Sequence, residues 1–382
     1  MKIAFITNFC PHYRIKTFER IGGLFDTDFY FFSAGNEWYW QQNHGVNRGN
    51  FHYRYITGYN LGHTRITPPL PFQLFRENYD IYIKCINGKF ALPVTFLVAR
   101  LKRKPFILWT GIWMRLQSKF HRLFFPLTRY IYRHANAIVV YGEHVKRYLI
   151  SEGVPAERIF VAHHAVDNQA YNKTIYEDEK RKLRELLVIP EDKKVILYLG
   201  RLEAMKGLPY LIDAFASLKD RKDTILVLAG TGSGQELLEE QVREKGIQNR
   251  VRFLGYVPTD QALRYYSIAW VYVLPSITTP MGKEPWGLVV NEAFNQGIPV
   301  IATDAVGAAA GGLVIHDVTG KIVPERDAQA LANAICELLD QPELRHKLGE
   351  NARAEVARWT NERMVDGFSQ AIHYVQTRKM SK

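Results

Sequence analysis

Cysteine is scarce in this chain of 382 residues: Cys10, Cys85 and Cys336 lie far apart, with no Cys-x-x-Cys pair. That excludes a disulfide framework and a cysteine zinc site, and it suits a reducing compartment. Long apolar runs are also missing. The longest, from Phe90 to Ala99, is about ten residues, roughly half of what a helix needs to cross a bilayer, so no membrane span is expected. The opening MKIAFITNFCPHYR turns polar too soon for a signal-peptide core, so no secretion signal is expected either. Glycine and proline, at 27 and 17, are too few for collagen-like or low-complexity structure. What remains, 47% hydrophobic and 23% charged, is a packed globular chain whose length favours two domains.

Acid is absent from one stretch. Between Asp80 and Glu143 there is none, against eleven Lys and Arg, and residues 1–170 carry the whole net charge of +12. Such a block calls for an anionic partner. From Ile112 to Tyr132 the bases alternate with bulky apolar residues, and Trp113, Leu116, Phe120, Leu123, Phe124, Leu127 and Ile131 keep helical spacing. The spacing predicts one amphipathic basic helix, kinked at Pro126. Its stripe suits a sheet core or, equally, the headgroup region of an anionic membrane. In the second case Trp113, Arg115, Lys119, Phe120, Arg122, Phe124 and Arg129 would meet the lipid, with help from Arg100, Lys102, Arg103 and Lys104.

Short β-rich runs alternate with helical stretches throughout, which is the pattern of parallel α/β units. The pattern starts at Lys2–Thr7 and restarts at Val195–Leu199, so two Rossmann-like units are expected, with 168–190 as linker. The predicted domains are 1–170, 171–360, and a C-terminal helical segment, 361–382, that packs back on the first.

In parallel sheets ligands collect beyond the carboxyl ends of the strands. After Val195–Leu199 comes Gly200-Arg201-Leu202-Glu203-Ala204-Met205-Lys206-Gly207, which brings a guanidinium and an ammonium to a helix start, a natural phosphate site. After Thr224–Ala229 comes Gly230-Thr231-Gly232-Ser233-Gly234, either a backbone cradle for an anion or a tight turn. A dinucleotide site would want an acid after the next strand, and Val251–Gly255 offers none. The most informative stretch is Glu284-Pro285-Trp286-Gly287-Leu288-Val289-Val290-Asn291-Glu292, which sets two carboxylates around a helix start.

These segments resemble the donor half of a family 4 retaining glycosyltransferase of the GT-B fold: an α/β protein with two Rossmann-like domains whose parallel sheets face a central cleft. Gly200–Gly207, Leu228–Gly232, Val251–Val257, Val271–Ser276, the Glu284–Glu292 element and Gly297–Ala302 follow in the family's order. The resemblance implies that Arg201 and Lys206 bind the diphosphate of a nucleotide-sugar and that Glu284 contacts the transferred sugar. It also implies that Gly287, Leu288 and Val289 offer N–H groups to the phosphates and Glu292 holds the ribose, with Gly200, Gly230 and Gly232 shaping the donor site.

The first half resembles, through Lys2–Thr7 and Tyr13-Arg14-Ile15-Lys16-Thr17-Phe18, bacterial members that build surface polysaccharides and lipid-linked glycans. Here the family's glycine pair is replaced by Asn8-Phe9-Cys10-Pro11-His12, so acceptor-side roles do not carry over. Tyr13, Arg14, Thr110 and His121 are the acceptor-side candidates; His121, like His12 and His63, is considered only by elimination, with a surface or structural role as the alternative for each.

Asp26-Thr27-Asp28 matches a metal-holding Asp-x-Asp but precedes its strand and is expected to be a turn, so no metal and no cofactor are expected. The partners expected are a nucleotide-sugar donor, a glycan or lipid-linked acceptor and an anionic membrane surface, at the inner face of the cell membrane. A nucleotide-sugar epimerase would need no basic helix. A nucleic-acid binder, or a basic membrane-binding protein without catalysis, would leave Glu284 and Glu292 unexplained.

Overall fold

The computed structural model describes residues 1–33, 49–62 and 64–380. His63 lies outside the described residues. The chain forms two compact units, Met1–His164 with Asn361–Lys382, and Ala165–Thr360. The first boundary thus falls before the expected 170. The expected linker 168–190 is folded into the second unit: it carries the helices Asn168–Tyr171 and Glu177–Leu186, and Leu183 is buried.

The first unit contains β1 Lys2–Thr7, β2 Asp26–Phe31, β3 Tyr53–Tyr55, β4 Tyr59–Leu61, β5 Thr64–Ile66, β6 Ile81–Cys85, β7 Phe106–Thr110, β8 Ala137–Val140 and β9 Ile159–Val161. All but β4 and β5 form one sheet, ordered β3-β2-β1-β6-β7-β8-β9, with every pairing parallel. Both faces of such a sheet must be covered, which explains strands that are apolar throughout, such as Ile3-Ala4-Phe5-Ile6. The helices Pro69–Arg76, Ala91–Leu101 and Lys119–His134 lie in sequence between these strands, and Phe96 and Ile131 join a core with Ala4, Ile6 and Leu108. A second core gathers Ile3, Phe5, Phe18 and Ile107 with Met364, Phe368 and Ile372 of the Asn361–Met380 helix. That helix approaches closely at Gly367, where a Cβ would overlap the Val161 carbonyl oxygen. β4 and β5 form a separate antiparallel hairpin that the sequence pattern did not signal.

Two expectations change here. The basic helix begins at Lys119, not near Ile112, because Ser118 caps it, its Oγ accepting from the His121 N–H at 3.3 Å. Trp113 and Arg115 therefore lie on the preceding loop. Asp26-Thr27-Asp28 is not a turn but the start of β2, where the buried Asp28 accepts from Tyr79 Oη at 2.5 Å and pairs with Lys2 Nζ at 3.1 Å.

The second unit contains β10 Lys194–Leu199, β11 Thr224–Ala229, β12 Val251–Gly255, β13 Ala269–Leu274, β14 Val300–Thr303 and β15 Gly320–Val323. They form a six-stranded parallel sheet ordered β12-β11-β10-β13-β14-β15. The order reverses between β10 and β13, so the loops that leave these strands diverge there and open a site.

Candidate active site

After β10 the chain passes Gly200 and Arg201 to a short turn, Ala204–Lys206, closed by Gly207 at φ +64°. A Cβ at Gly207 would overlap the Pro275 carbonyl oxygen, so glycine lets this loop lie against the one after β13. The Ile277 N–H seals the contact on the Met205 carbonyl at 2.8 Å.

The consequence is an ion pair between Lys206 Nζ and Glu284 Oε2, both groups nearly buried, with Ser276 Oγ donating to the same oxygen at 3.3 Å. Burial pushes the Glu284 carboxyl up. The Lys206 ammonium, the Arg201 guanidinium and the Ser276 hydroxyl outweigh it and hold Glu284 below the ordinary carboxylate value. Its backbone is pinned too, the Glu284 carbonyl accepting from the Gly307 N–H at 3.0 Å.

The helix Leu288–Asn295 then starts from Gly287, whose φ of +90° keeps glycine there. A Cβ on Gly287 would sit 3.7 Å from Glu284 Cγ, so the acid stands beside the helix start. The first-turn N–H groups at Leu288 and Val289 have no acceptor within the helix and carry its positive dipole end.

Glu292 lies more than a turn inside, half-buried, accepting from Tyr266 Oη at 2.8 Å. Burial pushes its carboxyl up to about 6, against the hydrogen bonds of Tyr266 and Tyr171. The fold thus brings Lys206, Glu284, Gly287 and Arg201 together, and it adds Ser276, Tyr171 and Tyr266. Ser276 ends the segment Val271–Ser276 singled out in the sequence, whereas nothing there marked Tyr171 or Tyr266, because each reaches the site from a separate element.

Gly230 and Gly232 have a different reason to be glycine. A Cβ on Gly230 would overlap the Gly200 carbonyl, and one on Gly232 the Leu202 backbone. The two strand-end loops are laced together, Leu202 N–H to the Thr231 carbonyl and Gly234 N–H to the Leu202 carbonyl, each at 2.9 Å. Ser233 donates through N–H and Oγ to the Glu203 carboxylate, at 3.3 and 3.0 Å. This packing agrees with the tight-turn alternative, with an acid held over the loop.

On the acceptor side, Arg14 is buried, its guanidinium 4.8 Å from the Trp109 ring centre and within 3.0 Å of His164 Nε2. It is a core residue of the first unit rather than a surface contact. Thr110 is buried, its Oγ1 accepting from the Ile112 N–H at 3.1 Å. Tyr13 is half-buried, edge-on to His12 at 5.3 Å. His121 pairs through Nδ1 with Ser118 Oγ at 2.6 Å, and burial and Lys89 keep it below the usual histidine range.

The basic stretch is not wholly uncompensated. Glu152, with its side chain 4% exposed, takes Arg115 Nε at 2.6 Å and Arg129 Nε at 3.2 Å. Its carbonyl accepts from Arg133 Nε at 2.8 Å. Trp113 packs edge-on to His144 at 5.0 Å. Arg115, Arg129 and Trp113 thus have partners within the first unit, Arg115 while its side chain stays 58% exposed; Lys119, Arg122 and Phe124 are exposed too and Phe120 half-exposed.

Residues 179–355 match the family described as Glycosyl transferases group 1, and residues 28–170 match Glycosyltransferase Family 4. Both matches are to glycosyltransferase families, and they fall on separate stretches of the chain. The fold is that of GT-B glycosyltransferases: HepE of Anabaena, solved with UDP-glucose, superposes over 100% of both chains with a TM-score of 0.75 at 22% identity. Among curated relatives, the alpha-D-kanosaminyltransferase of Streptomyces kanamyceticus is 30% identical over 61% of this chain and 60% of its own. The D-inositol 3-phosphate glycosyltransferase of Corynebacterium glutamicum is 34% identical over 51% of this chain and 47% of its own. The chain thus spans about half the length of the curated relatives it matches. Among the described residues no helix is long and apolar enough to cross a membrane.

Proposed function

We propose that the protein transfers a sugar, with retention at the anomeric carbon, from a nucleotide-diphosphate sugar to a lipid-linked or membrane-surface glycan acceptor. The observation that carries the reading is the buried Lys206–Glu284 pair beside the helix start at Gly287. An ammonium has three donors, and Glu284 engages one, which leaves donors for a diphosphate. Lys206, Arg201 and the N–H groups of Leu288 and Val289 meet the charge that grows on the departing diphosphate, each such contact contributing about 3 kcal/mol in comparable sites. The bond from the anomeric carbon to the phosphate oxygen breaks while the acceptor oxygen bonds on the same face. The acceptor's proton passes to the leaving phosphate oxygen. Glu284, kept ionised by its neighbours, positions the sugar, and Glu292 takes the ribose hydroxyls.

Neither a metal nor a cofactor is part of this reading, since fixed cations supply the positive charge and the oxygens of Asp28 are already engaged by Lys2, Tyr79 and His52. The solved relative bound to UDP-glucose supports the donor class. The exposed Lys119, Arg122, Leu123 and Phe124 support attachment to an anionic bilayer at the inner face of the cell membrane. A thermal-shift panel of UDP, GDP, ADP and their sugar conjugates tests the donor reading. One nucleotide series should stabilise by about 2.7 kcal/mol at a hundredfold excess over Kd, and no shift with any of them removes the proposal.

A further inference from the structure

Under the Lys119–His134 helix, within the first unit, lies a cavity of about 920 Å³, inside the range of roughly 300–1,000 Å³ typical of ligand pockets. One part of its wall is the carboxyl edge of the sheet: Asn8 after β1, Ser33 after β2, Asn87 after β6 and Ile112 after β7. That is where parallel sheets receive ligands. Another part is apolar and includes Phe90, Leu92, Leu116 and Phe120. Phe124 and Leu127 line the cavity and are also exposed, at 43% and 42%, so the apolar wall continues onto a surface carrying Leu123 and Tyr130.

Among the described residues, the charged groups that line it have one sign. No Asp or Glu lines the cavity among the described residues, whereas Arg65 and Lys89 do. Arg65 bonds neutral oxygens, the Phe32 carbonyl at 2.7 Å and Asn60 Oδ1 at 3.4 Å, and Lys89 Nζ rests 4.2 Å from the Phe120 ring centre. Behind the wall the fully buried Lys84 donates to the Cys85 and Asn87 carbonyls, at 2.6 and 2.7 Å, and to Asn87 Oδ1 at 3.1 Å. It thereby shapes the loop after β6; burial lowers its ammonium pKa to about 7, so it adds part of a third positive charge, and among the described residues no carboxylate is bonded to it. Low-dielectric walls focus such a field.

We propose that this cavity receives the hydrocarbon chain of a long-chain lipid phosphate, entering from the exposed face at Phe124 and Leu127, with the phosphate held by Lys89 and Arg65. The inference rests on the lipid-linked acceptor of the proposed function and gives that acceptor a place in the first unit.

The test is calorimetric titration of the full chain with dodecyl phosphate below its micelle concentration, beside inorganic phosphate and dodecanol. Dodecyl phosphate should bind at one site at least tenfold more tightly than either comparator. Leu116→Trp and Thr128→Trp, which fill the cavity from two different walls, should each weaken it at least tenfold while the nucleotide thermal shift stays intact; if one fails to fold, the other decides. The double variant Lys89→Gln, Arg65→Gln should lose the preference for dodecyl phosphate over dodecanol. Binding no tighter than that of inorganic phosphate, or undiminished in a folded plugged variant, overturns the proposal. A parent that binds dodecyl phosphate but no nucleotide upholds the cavity and removes the donor reading, and one that binds only the nucleotide does the reverse.

Discussion

The basic helix region of the first unit and the loop cluster of the second handle positive charge in opposite ways. In the second, Lys206 is drawn inward onto Glu284, and the resulting cluster sits beside a helix start with its groups held by glycine-tight loops. In the first, Lys119, Arg122, Arg100 and Arg103 stay at the surface, while Arg115 and Arg129 are tied to Glu152. An inward pair is expensive to desolvate and is retained where orientation matters. Outward cations hold nothing in place, and their effect is on what approaches.

The largest expected effect breaks the inward pair. Lys206→Ala should cut transfer by two or more orders of magnitude and also lower stability by about 3 kcal/mol, because it leaves a buried carboxylate without its ammonium. Arg201→Ala should cost as much in transfer and far less in melting temperature, because Glu284 keeps Lys206. Paired measurements of kcat/KM and Tm separate the two roles. A folded Arg201→Ala, Lys206→Ala double variant with full transfer activity removes the phosphate assignment.

The second effect is smaller and divides the basic region. Arg115→Gln with Arg129→Gln should lower Tm, since the buried Glu152 carboxylate loses both guanidinium partners. Lys119→Gln with Arg122→Gln should leave Tm unchanged and weaken binding to phosphatidylglycerol vesicles by about 2 kcal/mol, at roughly 1 kcal/mol per surface cation. Co-sedimentation in rising salt reads this directly. If the Lys119, Arg122 pair changes stability instead, the helix is a core element and the membrane reading falls.

The comparison also explains what was legible in the sequence. Glu284, Gly287 and Glu292 share one strand-end loop and helix, so their spacing alone placed the acids around the helix start. The strands were legible for the same local reason: buried parallel strands are continuous apolar runs such as Ile138-Val139-Val140. Charge balance is not local. Glu152 lies just beyond the acid-free window yet neutralises bases at 115 and 129, and no count over a window shows that. The helix start was misjudged because Trp113 and Leu116 keep helical spacing by accident, whereas the Ser118 cap decides where hydrogen bonding begins. The glycines at 230 and 232 were visible as glycines, but whether they approach a ligand or another loop depends on Gly200 and Leu202, which adjoin only through the β10–β11 pairing.

The smallest effect concerns Glu292, where burial raises the carboxyl from about 4.5 to about 6. Two consequences follow, with opposite signs. In the unliganded protein the folded state holds this proton more tightly than the unfolded chain, so the stability that Glu292 contributes is present below about pH 4.5 and is lost as pH rises through about 6. Donor binding runs the other way, because accepting ribose hydroxyls needs the carboxylate, whose population falls about tenfold between pH 7 and pH 5. A UDP-sugar is the right probe, since its diphosphate is esterified at both ends and lacks the terminal phosphate group that titrates near pH 6. Its Kd should rise by up to tenfold from pH 7.5 to pH 5 with the parent. With Glu292→Gln it should be weak and flat across that range, and the fall in unliganded stability through pH 6 should shrink. A parent whose affinity for UDP-sugar does not change between pH 7.5 and pH 5, while its stability still shows the Glu292 titration, assigns this acid to holding Tyr171 and Tyr266 in place rather than to the ribose.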